Sequence, residues 1–147
     1  MADPQVAARS AEGATPELRP TVAWAAIVAL VLLAVVRSAV ATRTDGFTID
    51  DAYHITAGAS YVKLNDFRLN PEHPPLVKLW AGAALAPDFR LPPLRPLDDK
   101  FAEREFNESA VFLDNDPDRV QARSRYAMWA LNGLLLLFLA LDRKSVV

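Results

Sequence analysis

The sequence has no cysteine at all, which excludes a disulfide framework and any thiolate metal centre. Histidine occurs twice, at His54 and His73, so a histidine-rich metal site is excluded too and any cation must lean on carboxylates. There is no basic excess: the net charge is −2, whereas a nucleic-acid footprint is normally a clear surplus of Lys and Arg. Nucleic acid is therefore not an expected partner. There is also no internal repeat and no alternating pattern that would make a strand.

What is present is apolar sequence in two long runs. Val22 to Val36 holds no charged or strongly polar residue, and after Arg37 the apolar character resumes through Ala41. Residues 21–41 thus have the length needed to cross a bilayer core, about 20 residues for roughly 30 Å. Arg37 lies near the end, where its stem reaches the headgroups. A signal peptide fits less well, because residues 1–20 carry Asp3, Glu12 and Glu17 and lack a basic start. That Ala/Pro/Glu-rich tail reads as disordered. The second run, residues 126–141, is somewhat short for a span and ends at Asp142-Arg143-Lys144. The chain reads as truncated there, with 142–147 a tail whose native origin stays open. Trp24, Tyr126 and Trp129 stand near span ends, as interfacial anchors do. Flanking charge does not fix topology, since Arg37, Arg43, Arg123, Arg125, Arg143 and Lys144 occupy both ends.

Between the spans, residues 42–125 form a long loop with three expected short amphipathic helices, and the fold class is an all-α membrane protein. Thr48-Ile49-Asp50-Asp51 has the form of a capping box, with Tyr53, Ala57, Tyr61 and Leu64 recurring at helical spacing behind it. Pro74 and Pro75 open a second helix with an apolar stripe of Leu76, Leu79, Trp80, Ala83 and Ala84, ended by Pro87. Asp98 to Leu113 makes a third, carrying Phe101, Phe106, Ala110 and Leu113. Two of these have apolar faces suited to the membrane interface, so membrane lipids are expected partners.

Chemistry-bearing residues fall in three places. Asp50 and Asp51 are adjacent carboxylates held near the membrane surface, able to act as base or metal ligand, though a helix cap alone would use them. His54 follows them. Glu72-His73-Pro74-Pro75-Leu76-Val77-Lys78 sets a carboxylate and an imidazole at a helix start, which favours anions, with Lys78 one turn in. Glu72 and His73, joined by Asp50, are the candidate ligands for a divalent metal. Arg123 and Arg125 precede the second span and suit either headgroup anchoring or a bidentate grip on a lipid phosphate. Two other motifs carry less. Asp114-Asn115-Asp116 lacks the Gly and Glu of an EF-hand, having Arg119 and Arg125 at those places, and reads as a turn before Pro117. Asn107-Glu108-Ser109 has the form of a glycosylation acceptor, a pattern common by chance.

In order, these elements resemble one family: a membrane helix, an acidic pair with His54 close behind, a Gly58/Tyr61 helix, the Glu72 to Lys78 motif and an arginine before the second span. It is the superfamily of protein O-mannosyltransferases and bacterial aminoarabinose lipid A transferases, the phospholipid-carrier-dependent family 39 glycosyltransferases. The resemblance is densest from Asp45 to Gly82 and thins through Leu141. It implies a GT-C fold in a bacterial-type cytoplasmic membrane, multi-pass, with the first extracytoplasmic loop catalytic and a polyprenyl-phosphate-linked sugar as donor. Asp50 and Asp51 fall on the acidic pair, one of which serves the family as base. Glu72 and His73 fall near the metal and lipid phosphate; Lys78 closes that motif. Arg125, less securely Arg123, falls near the arginine that meets the carrier phosphate. The chain lacks the family's further helices and C-terminal domain, which places this sequence as a fragment inactive by itself. Two rival readings are a non-enzymatic two-span protein with a partner- or ligand-binding loop, and a metal-dependent membrane hydrolase.

Overall fold

The structure is a computed structural model and describes residues 19–144. The expected tails at 1–20 and 142–147 lie largely outside the described residues. Helix is the regular secondary structure of the described residues, which contain no strand: α1 (Pro20–Ala41), α2 (Asp51–Leu64), α3 (Pro75–Leu85), α4 (Lys100–Phe112) and α5 (Pro117–Lys144). Two of these, α1 and α5, are long and apolar enough to cross a membrane by length and composition. At 1.5 Å per residue, the 22 residues of α1 reach roughly 33 Å.

The two long helices lie side by side and antiparallel. Trp129 Nε1 donates to Thr42 Oγ1 at 3.2 Å, while further along a side chain at Gly133 would meet Val35 Cγ2 at 3.2 Å. As α5 advances, its partner in α1 recedes, so both helices point their other ends the same way. Leu30, Leu32, Leu33, Val36 and Val40 on α1, with Phe138 and Leu139 on α5, stay exposed. A surface this apolar is compatible with bilayer surroundings.

Helix α5 starts nine residues before the expected boundary at 126. Pro117 suits a first helical turn, and Asp116 Oδ1 accepts from the backbone N–H of Asp118 (3.1 Å) and Arg119 (3.3 Å). The Asp114-Asn115-Asp116 turn is thus a helix cap, and Asn115 braces it by donating to Ala110 O and Arg90 O, both at 2.7 Å. Arg123 and Arg125 consequently stand on a helix and not in a loop.

Helices α2, α3 and α4 pack together on the first turns of α5. Their apolar core is Ala52, Ile55, Ala59, Leu85, Phe89, Ala110, Val111 and Val120, continued by Ala57, Tyr61, Leu69 and Phe106. The α2–α3 crossing is tight because both sides contribute glycine. A Cβ on Gly82 would lie 2.9 Å from Gly58 Cα and closer still to its carbonyl. A Cβ on Gly58 would collide with the Lys78 carbonyl. Helix α3 buries Lys78, Ala81, Gly82 and Leu85; of the expected stripe Leu79 packs on the core, Leu76 is exposed and Trp80 turns to α5, while Val77 faces the cavity. Small residues let the backbones approach. Trp80 Nε1 donates to Ala127 O at 2.7 Å, pinning α3 against the start of the apolar part of α5. Of the apolar residues read on α4, Phe106 and Ala110 are buried, whereas Phe101 and Leu113 are exposed. Asn107 is fully buried, so its acceptor motif is closed to glycosylation in the folded chain.

Candidate functional site

A cavity of about 610 Å³ opens where α1, α2, α3 and α5 meet. Each wall follows from a local sequence feature. The α2 wall carries Asp51, His54 and Ile55, one helical turn apart and therefore on one face. The α3 entrance supplies His73, Pro74, Val77 and Lys78. Helix α5 supplies Gln121, Ser124, Arg125 and Met128, and the strand of chain leaving α1 supplies Asp45, Gly46, Phe47 and Thr48.

The acidic pair divides here. Asp51 is half-buried on the cavity wall, and its Oδ2 accepts from Thr48 N–H at 2.8 Å; α2 begins later than a capping box at Thr48 implies, with Asp50 at its N-cap and no side-chain capping bond. Asp50 is exposed and does not line the cavity. The Glu72-His73 pair divides as well. Glu72 turns outward to an ion pair with Lys100, whose hydrogen bond holds its carboxyl below the usual glutamate range. His73 faces the cavity, its ring edge-to-face with His54 at 5.1 Å between centroids. Burial, with Lys78 and His73 nearby, lowers the His54 pKa against the opposing pull of Asp50 and Asp51. His54 therefore favours the neutral form, able to accept or donate one proton.

Arg125 and Arg123, two residues apart on a helix, point in different directions. Arg125 lines the cavity and donates to the carbonyls of Arg43 (3.5 Å) and Asp45, tying α5 to the end of α1. A guanidinium has five N–H donors, so others remain. Arg123 is ion-paired with Asp88 and lines a separate hollow with Asp114 and Arg119.

Lys78 lies at the cavity wall but is engaged from within. It is 2% exposed, and its Nζ donates to Asn70 O, to His73 O at 3.0 Å and to Tyr61 Oη at 3.3 Å. Burial holds its ammonium below the usual lysine value, opposed by the carboxylates of Glu72 and Glu103. Around it lies a network that sequence reasoning passed over. Glu103, 6% exposed, accepts from Asn70 N–H and from Lys100 Nζ, both at 2.7 Å. The Lys100/Glu103 spacing of three was a readable helical pair, but its link to residue 70 was not.

For a divalent metal, the expected ligands Asp50, Glu72 and His73 do not converge. Among the described residues no three His, Asp or Glu side chains gather as a metal would need. No family model matches the chain, and no curated protein or solved structure matches it.

Proposed function

We propose that the chain is part of a membrane glycosyltransferase that moves a sugar from a polyprenyl-phosphate carrier to an extracytoplasmic acceptor. The observation that carries this reading is the shared cavity: a carboxylate, two imidazoles and a guanidinium line one largely apolar space at the junction with the two apolar helices. An apolar floor beside a membrane suits a prenyl chain, and the polar rim suits a sugar phosphate. The spans cross a bacterial-type cytoplasmic membrane on this reading, and the packed loop faces the extracytoplasmic side.

The chemistry follows from the donor. It carries its own leaving group, so the protein needs a base for the acceptor and positive charge for the departing phosphate. Asp51 takes the acceptor hydroxyl's proton. The acceptor oxygen then bonds to the anomeric carbon as the carbon–oxygen bond to phosphate breaks. The electron pair leaves on the phosphate, and Arg125 meets that charge. Neutral His54, with His73 beside it, is placed to hydrogen-bond the sugar or phosphate. Asp50, exposed and outside the cavity, keeps only its place at the helix start.

The experiment is sugar transfer from a polyprenyl-phosphate donor by the full-length protein, with Asp51→Asn and Asp50→Asn compared. Loss of a general base costs about 10²–10⁴-fold in rate. That loss is expected for Asp51→Asn alone. Near-normal turnover by Asp51→Asn, with insertion intact, would reduce Asp51 to a helix cap and sink the reading.

A further inference from the structure

The turn before α3 is short of hydrogen-bond donors for a reason written in its sequence. Asn70-Pro71-Glu72-His73-Pro74-Pro75 places three prolines among six residues, and proline has a carbonyl but no N–H. Carbonyls therefore outnumber donors, and those turned inward need a donor from elsewhere. The turn is also shaped by Asn70, whose φ of 46° lies in the left-handed region, one that Asn tolerates better than most residues.

The structure supplies the missing donors from one atom. An ammonium has three N–H bonds, and Lys78 Nζ has three acceptors: Asn70 O, His73 O and Tyr61 Oη. Tyr61 Oη in turn donates to Leu69 O at 2.6 Å, which extends the clamp one residue back. From the opposite side Glu103 holds the Asn70 N–H. A cation on the carbonyls and an anion on the amide fix the turn from both ends of its polarity. Lys78 itself cannot swing out cheaply. Its backbone carbonyl is the surface against which Gly58 packs, and leaving would strand buried acceptors, which is costly.

We propose that Lys78 is a positioning residue: its buried ammonium holds the Asn70–His73 turn, and so sets the His73 ring against His54 at the cavity wall, and it is not a ligand of the carrier phosphate. The phosphate part of this statement rests on the transferase reading above; the clamp does not.

The test uses NMR on the chain in detergent micelles, reading the proton–proton contact between the His54 and His73 rings and the Lys78 Nζ resonance. Lys78→Met keeps the side chain's length and removes the donors. It should keep the helical circular-dichroism signal and lose the His54–His73 contact, whereas Arg125→Ala should keep that contact. Addition of a polyprenyl monophosphate to the wild-type chain should leave the Lys78 Nζ resonance unmoved. An intact His54–His73 contact in Lys78→Met overturns the proposal, as does a Nζ resonance that shifts on saturation with the carrier. If Lys78→Met fails to fold, the wild-type Nζ titration still decides against or for phosphate contact. If the carrier does not bind the wild-type chain, the same Nζ titration on the full-length protein decides the phosphate part, and the ring contact alone decides the clamp.

Discussion

Two sides of the same loop meet very different surroundings, although they draw on neighbouring residues. The side facing α1 and α5 takes Asp51, His73 and Arg125. The outer side takes Asp50, Glu72 and Arg123, which are exposed or paired with Lys100 and Asp88. Each of the three pairs that looked functionally equivalent in sequence is split. The cause is geometric: successive residues on a helix are about 100° apart, so a pair two apart is nearly on opposite faces. On the turn before α3, the clamp at His73 O leaves Glu72 free to meet Lys100. The lesson is that adjacency in sequence marks where a site lies and says little about which member enters it.

The broadest way to break this division is to move α2 from α3. Gly82→Ala puts a methyl into Gly58, where backbone and not a flexible side chain blocks it. The crossing must open, at about 3 kcal/mol or more, the upper range for overpacking. Thermal melting should show a large loss of stability, and the His54–His73 contact should go with it. Gly133→Ala, between the spans, meets only the Val35 methyl at 3.2 Å, so a small rotation relieves it and stability should change by under about 1 kcal/mol. Equal effects of the two substitutions would show that the glycine crossing does not organise the loop.

A narrower test sharpens the split between the arginines. Arg125→Lys keeps the charge but loses the planar fork, and with it both the tie to Asp45 and a bidentate phosphate grip. On the transferase reading proposed above, donor affinity in the full-length protein should fall roughly tenfold, the lower end for a charged hydrogen bond. Arg123→Lys, engaged with Asp88 away from the cavity, should bind donor like wild type. A loss confined to Arg123→Lys would place the phosphate in the wrong hollow.

Much of this architecture was readable beforehand, because its causes are local. The prolines opening α3 and the two apolar runs specify helices without tertiary information, although the second long helix begins at Pro117, nine residues before its apolar run. What could not be read is what depends on packing between helices. The α3 stripe was readable as apolar, but the face that meets α2 was not: the close approach at Gly58 and Gly82 selects small residues there and leaves Leu76 exposed. Lys78 was assigned to phosphate on charge, while its three acceptors come from a turn up to eight residues back and from Tyr61 on another helix. A buried lysine with carbonyl partners leaves no pattern in composition or spacing.

The smallest expected effect separates His54 from Glu72 by pH. Burial lowers the folded-state pKa of His54 below its ordinary value of 6.5. Between the two values the unfolded chain holds more protons than the folded one, so stability rises with pH in that window. The contribution is complete above the unfolded value, begins to go as pH falls through 6.5, and is gone below the folded one. Glu72 has the opposite cause and another window. Its carboxyl is depressed by Lys100, so its contribution is present above the ordinary glutamate value and lost as pH falls through the depressed one. Being fully exposed, it should contribute little. Denaturant unfolding followed from about pH 8 to pH 5 should therefore show a stability slope in the wild type across the histidine range. His54→Gln should flatten that slope, and Glu72→Gln should leave it unchanged. Parallel curves for wild type and His54→Gln would mean that His54 is as well hydrated folded as unfolded, and that the cavity wall at α2 is no drier than the outer face.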